Sequence, residues 1–229
     1  MSEILTLKNI NQYFFQGKNK VEVLKSLNFS ISKASKIAII GSSGSGKSSL
    51  LNIASLLQSP KSGDVFIMGK NAARLKDSEK SFLRKKNIGY IHQQNSLLME
   101  FNAYENIYLT LLLNGFNSSY AKDKALDLLK IVNLENRALH KPSALSGGEQ
   151  QRIAIVRAIS NSPEIIIADE PTGNLDKINS DKVIDELIKI SRINSTSLLL
   201  ATHDITIAKQ MDKIYQLNDG LLLEYKEWW

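Results

Sequence analysis

The residues that most limit what this chain can become are Ile37-Ala38-Ile39-Ile40 followed at once by Gly41-Ser42-Ser43-Gly44-Ser45-Gly46-Lys47-Ser48. Four consecutive apolar residues read as a strand buried on both faces, and the run from Ser48 to Leu57 reads as a helix. Between them, Gly44 and Gly46 let the backbone curl until its N–H groups face the β- and γ-phosphates of a nucleotide. Lys47 supplies a point charge there, and Ser48 a hydroxyl for Mg²⁺. A turn that only joined two elements would have no use for Lys-Ser at its end. The strand, loop and helix together require an α/β fold with a P-loop.

Two more apolar strands end in polar residues: Ile165-Ile166-Ile167-Ala168 runs into Asp169-Glu170, and Ser197 to Ala201 runs into Thr202-His203-Asp204. Open parallel sheets bind ligands at such C-terminal strand ends. Asp169 can hold Mg²⁺, through water, while Glu170 can orient or deprotonate the water that attacks a γ-phosphate. Far from the P-loop, Leu145-Ser146-Gly147-Gly148-Glu149-Gln150 reads as a glycine-rich helix opening. Two phosphate-binding devices in one small chain point to an ATPase that works as a pair.

Apolar stripes at helical spacing predict helices over residues 122–132 and 178–192. The pattern breaks around residues 114–120 with Gly115, so residues 94–142 read as a helical lobe inserted between the first and second core strands. Residues 1–93 and 143–229 are then left as one ATP-binding core. Residues up to Ile31 alternate as antiparallel strands of a small β lobe, and Asp219-Gly220 centres a terminal hairpin.

A chain of 229 residues that is 43% hydrophobic can build its core without staples, and with no cysteine it has none to use. The start, Met1 to Lys8, alternates like a strand and lacks the basic opening and long apolar run of a signal peptide. No apolar stretch approaches the ~20 residues of a membrane-spanning helix. The chain is therefore expected in the cytoplasm, with any membrane link made through a partner. The net charge is +6, and no aromatic residues interleave with the basic run Arg84-Lys85-Lys86. That run reads as a solvated face, and no nucleic-acid partner is expected.

The order of the P-loop, Gln93, Leu145 to Gln150, Asp169-Glu170, Asn174-Leu175-Asp176 and His203 resembles the nucleotide-binding domain of ABC transporters across essentially the whole chain. The resemblance implies an ABC-type core with a parallel sheet, a small antiparallel β lobe and a helical lobe. It implies ATP and Mg²⁺ as cofactors, with Glu170, His203 and Lys47 catalytic. Nucleotide contacts would come from Gly41, Ser42, Ser43, Gly44, Ser45, Gly46, Lys47, Ser48 and Ser49, with Ser48, Gln93 and Asp169 around the metal. Gln93 would sense the γ-phosphate, and His203 would hold Glu170 and the water in line. Ser146, Gly147, Gly148 and Glu149 would open a helix that grips the nucleotide of a second copy, and Asp176 would cross to that copy. Phe14 would stack on adenine, with Tyr13 and Phe15 as rivals. Arg152 would brace its helix or the Gln93 region, the alternative being an arginine finger.

Within that family the details resemble the lipoprotein-releasing and macrolide-export group, on Val21-Glu22-Val23-Leu24-Lys25, Gly41-Ser42-Ser43-Gly44-Ser45, Leu139-His140-Lys141-Pro142-Ser143 and Ala168 to Asp176. That implies a separate ATPase subunit, ending at Trp229, on the cytoplasmic face of a bacterial inner membrane and docked to integral membrane permease subunits. The alternatives are a cell-division type regulator that signals without moving cargo and a soluble non-transport ATPase. Leu97-Leu98-Met99 with Phe101 and Tyr104 would either line the groove for a coupling helix of the permease or be buried in the helical lobe. The chain departs from the group at Ala34-Ser35, where Gly-Glu is usual, at His92, and over residues 94–101.

Overall fold

The computed structural model describes residues 2–225; Met1 and Trp229, which bound the sequence reading, lie outside the described residues. The chain opens with a hairpin, β1 (Glu3–Gln16) and β2 (Asn19–Ser32), followed by β3 (Lys36–Ile40) and α1 (Lys47–Ala54). Next come β4 (Ser62–Ile67), β5 (Lys70–Asn71), α2 (Asp77–Asn87) and β6 (Ile88–Ile91). Helices α3 (Ala103–Leu113), α4 (Ser118–Ile131) and α5 (Gly147–Ile159) lead to β7 (Ile165–Asp169). The chain continues through α6 (Lys177–Ile193), β8 (Ser197–Thr202), α7 (Ile205–Ala208), β9 (Lys213–Asn218) and β10 (Leu221–Glu224).

The strands form two sheets, a four-stranded antiparallel one ordered β2-β1-β4-β5 and a six-stranded one ordered β10-β9-β3-β8-β7-β6. From β9 to β6 every pairing in the larger sheet is parallel, and only β10 runs antiparallel. Its central strands are apolar on both faces, as a sheet covered on both sides requires. Ala38, Ile166, Ala168, Leu198 and Leu200 face one core, shared with α3 to α6. Their alternates Ile37, Ile39, Ile165, Ile167, Leu199 and Ala201 face another, shared with α1 and the antiparallel sheet. The helices of residues 94–142 therefore have no separate core; they bury their apolar stripes in one continuous with the parallel sheet.

The differences from expectation have local causes. Helix α1 stops three residues short of Leu57, because Leu56 turns left-handed (φ 61°) and the Leu57 and Gln58 N–H groups both bond to the Asn52 carbonyl. Helix α4 starts earlier than 122, capped by the Asn117 side chain, which accepts from Tyr120 N–H. The helical segment follows β6 and not β3. That strand is only four residues long and interrupted by Gly89, where a Cβ would stand 2.4 Å from the Ala158 carbonyl oxygen. Glycine there lets β6 lie against α5, at the cost of the pattern that would have announced a strand.

Candidate nucleotide site

The register of the parallel sheet assembles the site. Ile40 pairs with Thr202 and Asp169 with Ala201, so the C-terminal ends of β3, β8 and β7 finish level at one edge. There they release the P-loop, His203 and Glu170 side by side. Gly44 (φ 78°) and Gly46 (φ 104°) have backbones that L-residues avoid, and a Cβ on Gly46 would stand 2.6 Å from Val23 Cγ1. The curl they permit turns the first N–H groups of α1 outward, the arrangement that holds anions.

Lys47 is buried, and its ammonium donates to the carbonyls of Gly41 at 2.8 Å and Ser42 at 3.1 Å. Glu170 lies between it and the histidine: Oε1 is 3.6 Å from Lys47 Nζ, and His203 Nδ1 donates to Oε2 at 2.5 Å. Glu170 also holds a left-handed backbone (φ 44°), anchored by its N–H bond to the Ala201 carbonyl. A non-glycine residue held in that region is strained, and such strain gathers at functional sites. Asp169 is half-buried. Burial pushes its carboxyl pKa up, opposed by a hydrogen bond from the Ser48 hydroxyl, while neighbouring Glu170 pushes it further up. The Ser48 hydroxyl and Asp169 carboxyl thus offer two adjacent oxygens to a hard cation.

The cleft has a volume of about 640 Å³ and is lined by Val23, Ser43, Gly44, residues 46–49, Gln93, Glu170 and His203. Gln93 reaches it from the end of β6, tethered by Asn174 Nδ2 donating to its carbonyl at 3.3 Å. The start of α5 is absent from that lining. Ser146 caps α5, accepting from Glu149 N–H at 3.3 Å, while Glu149 accepts from Ser146 N–H at 2.8 Å and pairs with Arg137 at 3.2 Å. Those bonds, first the one from Ser146 N–H, hold the Glu149 carboxyl below its ordinary range. Asp176 likewise caps α6 through Asn179, which holds its carboxyl low. Within one copy the second glycine-rich device is complete as a helix cap and takes no part in lining the first.

Residues 24–173 match the model of the family described as ABC transporter. The chain belongs to that family. It is 44% identical over 220 residues to the "Lipoprotein-releasing system ATP-binding protein LolD" of Paramagnetospirillum magneticum, covering 96% of this chain and 97% of that one. The protein of the same description from Hyphomonas neptunium is 41% identical over 227 residues, covering 99% and 100%. Among solved structures, the ATP-binding cassette MJ0796, dimeric in a post-hydrolysis state bound to ADP and Pi, superposes with a TM-score of 0.89 at 35% identity, over 98% of this chain and 100% of that one.

In this ABC cassette the aromatic rivals separate. The Tyr13 ring is covered by the Lys20 ammonium at 4.4 Å and the Lys61 ammonium at 5.5 Å, and it meets Phe15 edge-on at 5.6 Å. Phe14, 44% exposed on the other face of β1, has no ring or cation partner among the described residues. The run after Gln93 also divides. Leu97 is buried in the core and Tyr104 packs against it, while Leu98, Met99 and Phe101 stay exposed.

Arg152 braces its helix: Nη1 donates to the Val132 carbonyl at 3.4 Å, and Nε lies 3.9 Å from Glu186 Oε2. The Gln93 region is held by a residue the sequence reading passed over. Arg157 Nη1 donates to the Ser96 carbonyl at 2.9 Å and Nη2 to the Asn95 carbonyl at 3.1 Å. Its signal in the sequence was its spacing, seven residues after Gln150 and so on the same helical stripe.

Proposed function

We propose that this chain is the ATP-binding and ATP-hydrolysing subunit of a lipoprotein-releasing transporter, acting at the cytoplasmic face of a bacterial inner membrane. The observation that carries the ATPase reading is Glu170 held between Lys47 and His203 at the mouth of the P-loop cleft. The lipoprotein reading is supported by relatives of that description matching nearly end to end. Among the described residues no helix is long and apolar enough to cross a membrane, so force would reach the bilayer through permease subunits.

The P-loop N–H groups and Lys47 hold the β- and γ-phosphates, and Phe14 stacks on the base. Ser45 Oγ is buried against Gly41 with no hydrogen-bond partner among the described residues, an orphaned hydroxyl inside the loop. Ser48 and Asp169 would hold Mg²⁺, with Gln93 beside it. Bound there, the ion neutralises charge on the phosphate oxygens. Glu170 accepts a proton from the attacking water, and His203 keeps the Glu170 carboxylate from rotating. Because the α5 start does not line this copy's own cleft, Ser146, Gly147 and Gly148 are left to serve the nucleotide of a second copy arranged head to tail. Glu149 maintains the cap, and Asp176 lies beside the same contact.

The test is to purify the chain from membranes in mild detergent, identify what co-elutes and add a lipoprotein. The reading expects a membrane subunit with a large periplasmic domain and an ATPase rate that changes with the lipoprotein. A cell-division protein, or no membrane partner, would overturn it. Leu98→Glu with Met99→Glu is expected to abolish co-elution while the chain still folds.

A further inference from the structure

Residues 93–101 lie between β6 and α3 with neither ladder nor helix to pair their backbone, and Ser96 is left-handed (φ 49°). Unpaired carbonyls in such a segment need donors from elsewhere. Asn174 serves the Gln93 carbonyl and Asn106 of α3 those of Leu98 and Phe101, while helix α5 holds the middle of the segment through two residues on one stripe. Gln150 Oε1 accepts from Asn95 Nδ2 at 3.0 Å, and its own Nε2 donates to the carbonyls of Pro142 at 2.9 Å and Leu145 at 3.1 Å. Two turns on, the Arg157 fork spans the carbonyls of Asn95 and Ser96. A planar guanidinium can bridge two acceptors that a single ammonium cannot.

We propose that Arg157 and Gln150 are positioning residues that lock the segment carrying Gln93 to helix α5. The inference rests on the head-to-tail reading above and adds what joins its two halves. Helix α5 is capped by Ser146, which addresses the second copy's nucleotide, while Gln93 addresses this copy's own. With the clamp closed, movement of α5 onto the partner's nucleotide carries Gln93 into register at the first site. With it open, each would move alone.

Arg157→Met is expected to leave ATP affinity of the isolated chain within twofold, since the P-loop is untouched, and to lower kcat about 10- to 100-fold, the effect of misplacing a site group by about 1 Å. Arg157→Lys should recover only part of that loss, whereas a packing role would be recovered fully. On a Gln93→Ala background, Arg157→Met should cost less than about twofold, because residues acting through one another are not additive. Asn95→Ala, which removes only the Gln150 bond from an irregular segment, should lower kcat in the same direction and decides the matter if Arg157→Met does not fold. Full additivity with Gln93→Ala, or normal kcat in a folded Arg157→Met chain, would overturn the clamp. Those results leave the ATPase reading standing, while normal turnover in Glu170→Gln and Gln93→Ala would remove the reading beneath it.

Discussion

The two glycine-rich segments use glycine for different reasons. In the P-loop, Gly44 and Gly46 have positive φ, so the residue type is required by conformation. At the start of α5, Gly147 and Gly148 have ordinary helical backbones, and a Cβ there would meet only side chains, Leu175 Cδ2 at 3.2 Å and Asn179 Oδ1 at 3.5 Å. Shape does not require glycine there, which leaves close approach, as the proposed reading has it, as its use. On the reading proposed above, the first segment, with Glu170 beside it, is a site whose charge, hydroxyl and base are all supplied by one chain. The second is a cap with backbone donors whose nearby cation, Arg137, is paired with Glu149, and on the reading proposed above it is half of a site.

The largest effect tests whether the first half is chemically complete. Glu170→Gln keeps the shape and removes the proton acceptor, so turnover is expected to fall about 100- to 10,000-fold. ATP binding should persist and a dimer should accumulate, read by size exclusion with ATP. Normal turnover would show that the base lies elsewhere. Gly46→Ala attacks the conformational requirement. Backbone strain of about 1–3 kcal/mol and a Cβ 2.6 Å from Val23 Cγ1 should weaken ATP binding about 10- to 100-fold by calorimetry.

Gly147→Asp addresses the second half. At the first position of α5 a carboxylate favours the isolated helix by about 0.3–1 kcal/mol through the helix dipole, yet it repels an arriving phosphate. Thermal stability and ATP affinity of the single chain should therefore hold while ATPase falls at least about tenfold. Mixing this variant with Lys47→Ala provides the sharper reading. In a head-to-tail pair one composite site carries both lesions and the other carries neither, so activity should return on mixing two inactive chains. If the mixture stays inactive, the two halves are not shared between copies.

Much of this was legible in the sequence because the motifs state their own geometry. A strand, Gly-Ser loop and Lys-Ser have one arrangement, and Asp169-Glu170 and His203 follow strands whose ends the parallel register must align. The strand β6 was not legible, since Gly89 serves its contact with α5 and erases its pattern. Arg157 was hidden for another reason: its partners are backbone carbonyls at Asn95 and Ser96, and a carbonyl leaves no trace in residue identity. Arg152 drew attention by lying near the glycines, yet it points to Val132 and Glu186. Side-chain chemistry can be read from sequence; the backbone atoms it serves cannot.

The smallest prediction concerns a place where conformation asks for glycine and the chain has none. Between β2 and β3, Ala34 adopts φ 60° and donates its N–H to Ser197 Oγ at 2.9 Å. An L-residue there costs about 1–2 kcal/mol, and glycine would return about 0.5–1 kcal/mol of that through its looser unfolded chain. Ala34→Gly should therefore stabilise the fold by about 0.5–1 kcal/mol and raise Tm by about 2 °C. The turn lies at the N-terminal end of β3, with the P-loop at its other end, so ATP affinity and turnover should not change. A Tm that stays level or falls would mean that the Ser197 bond depends on the alanine more than the backbone resents it. Glycine required by shape would then have to be judged by its bonding partners as well as by its φ, at Gly46 no less than here.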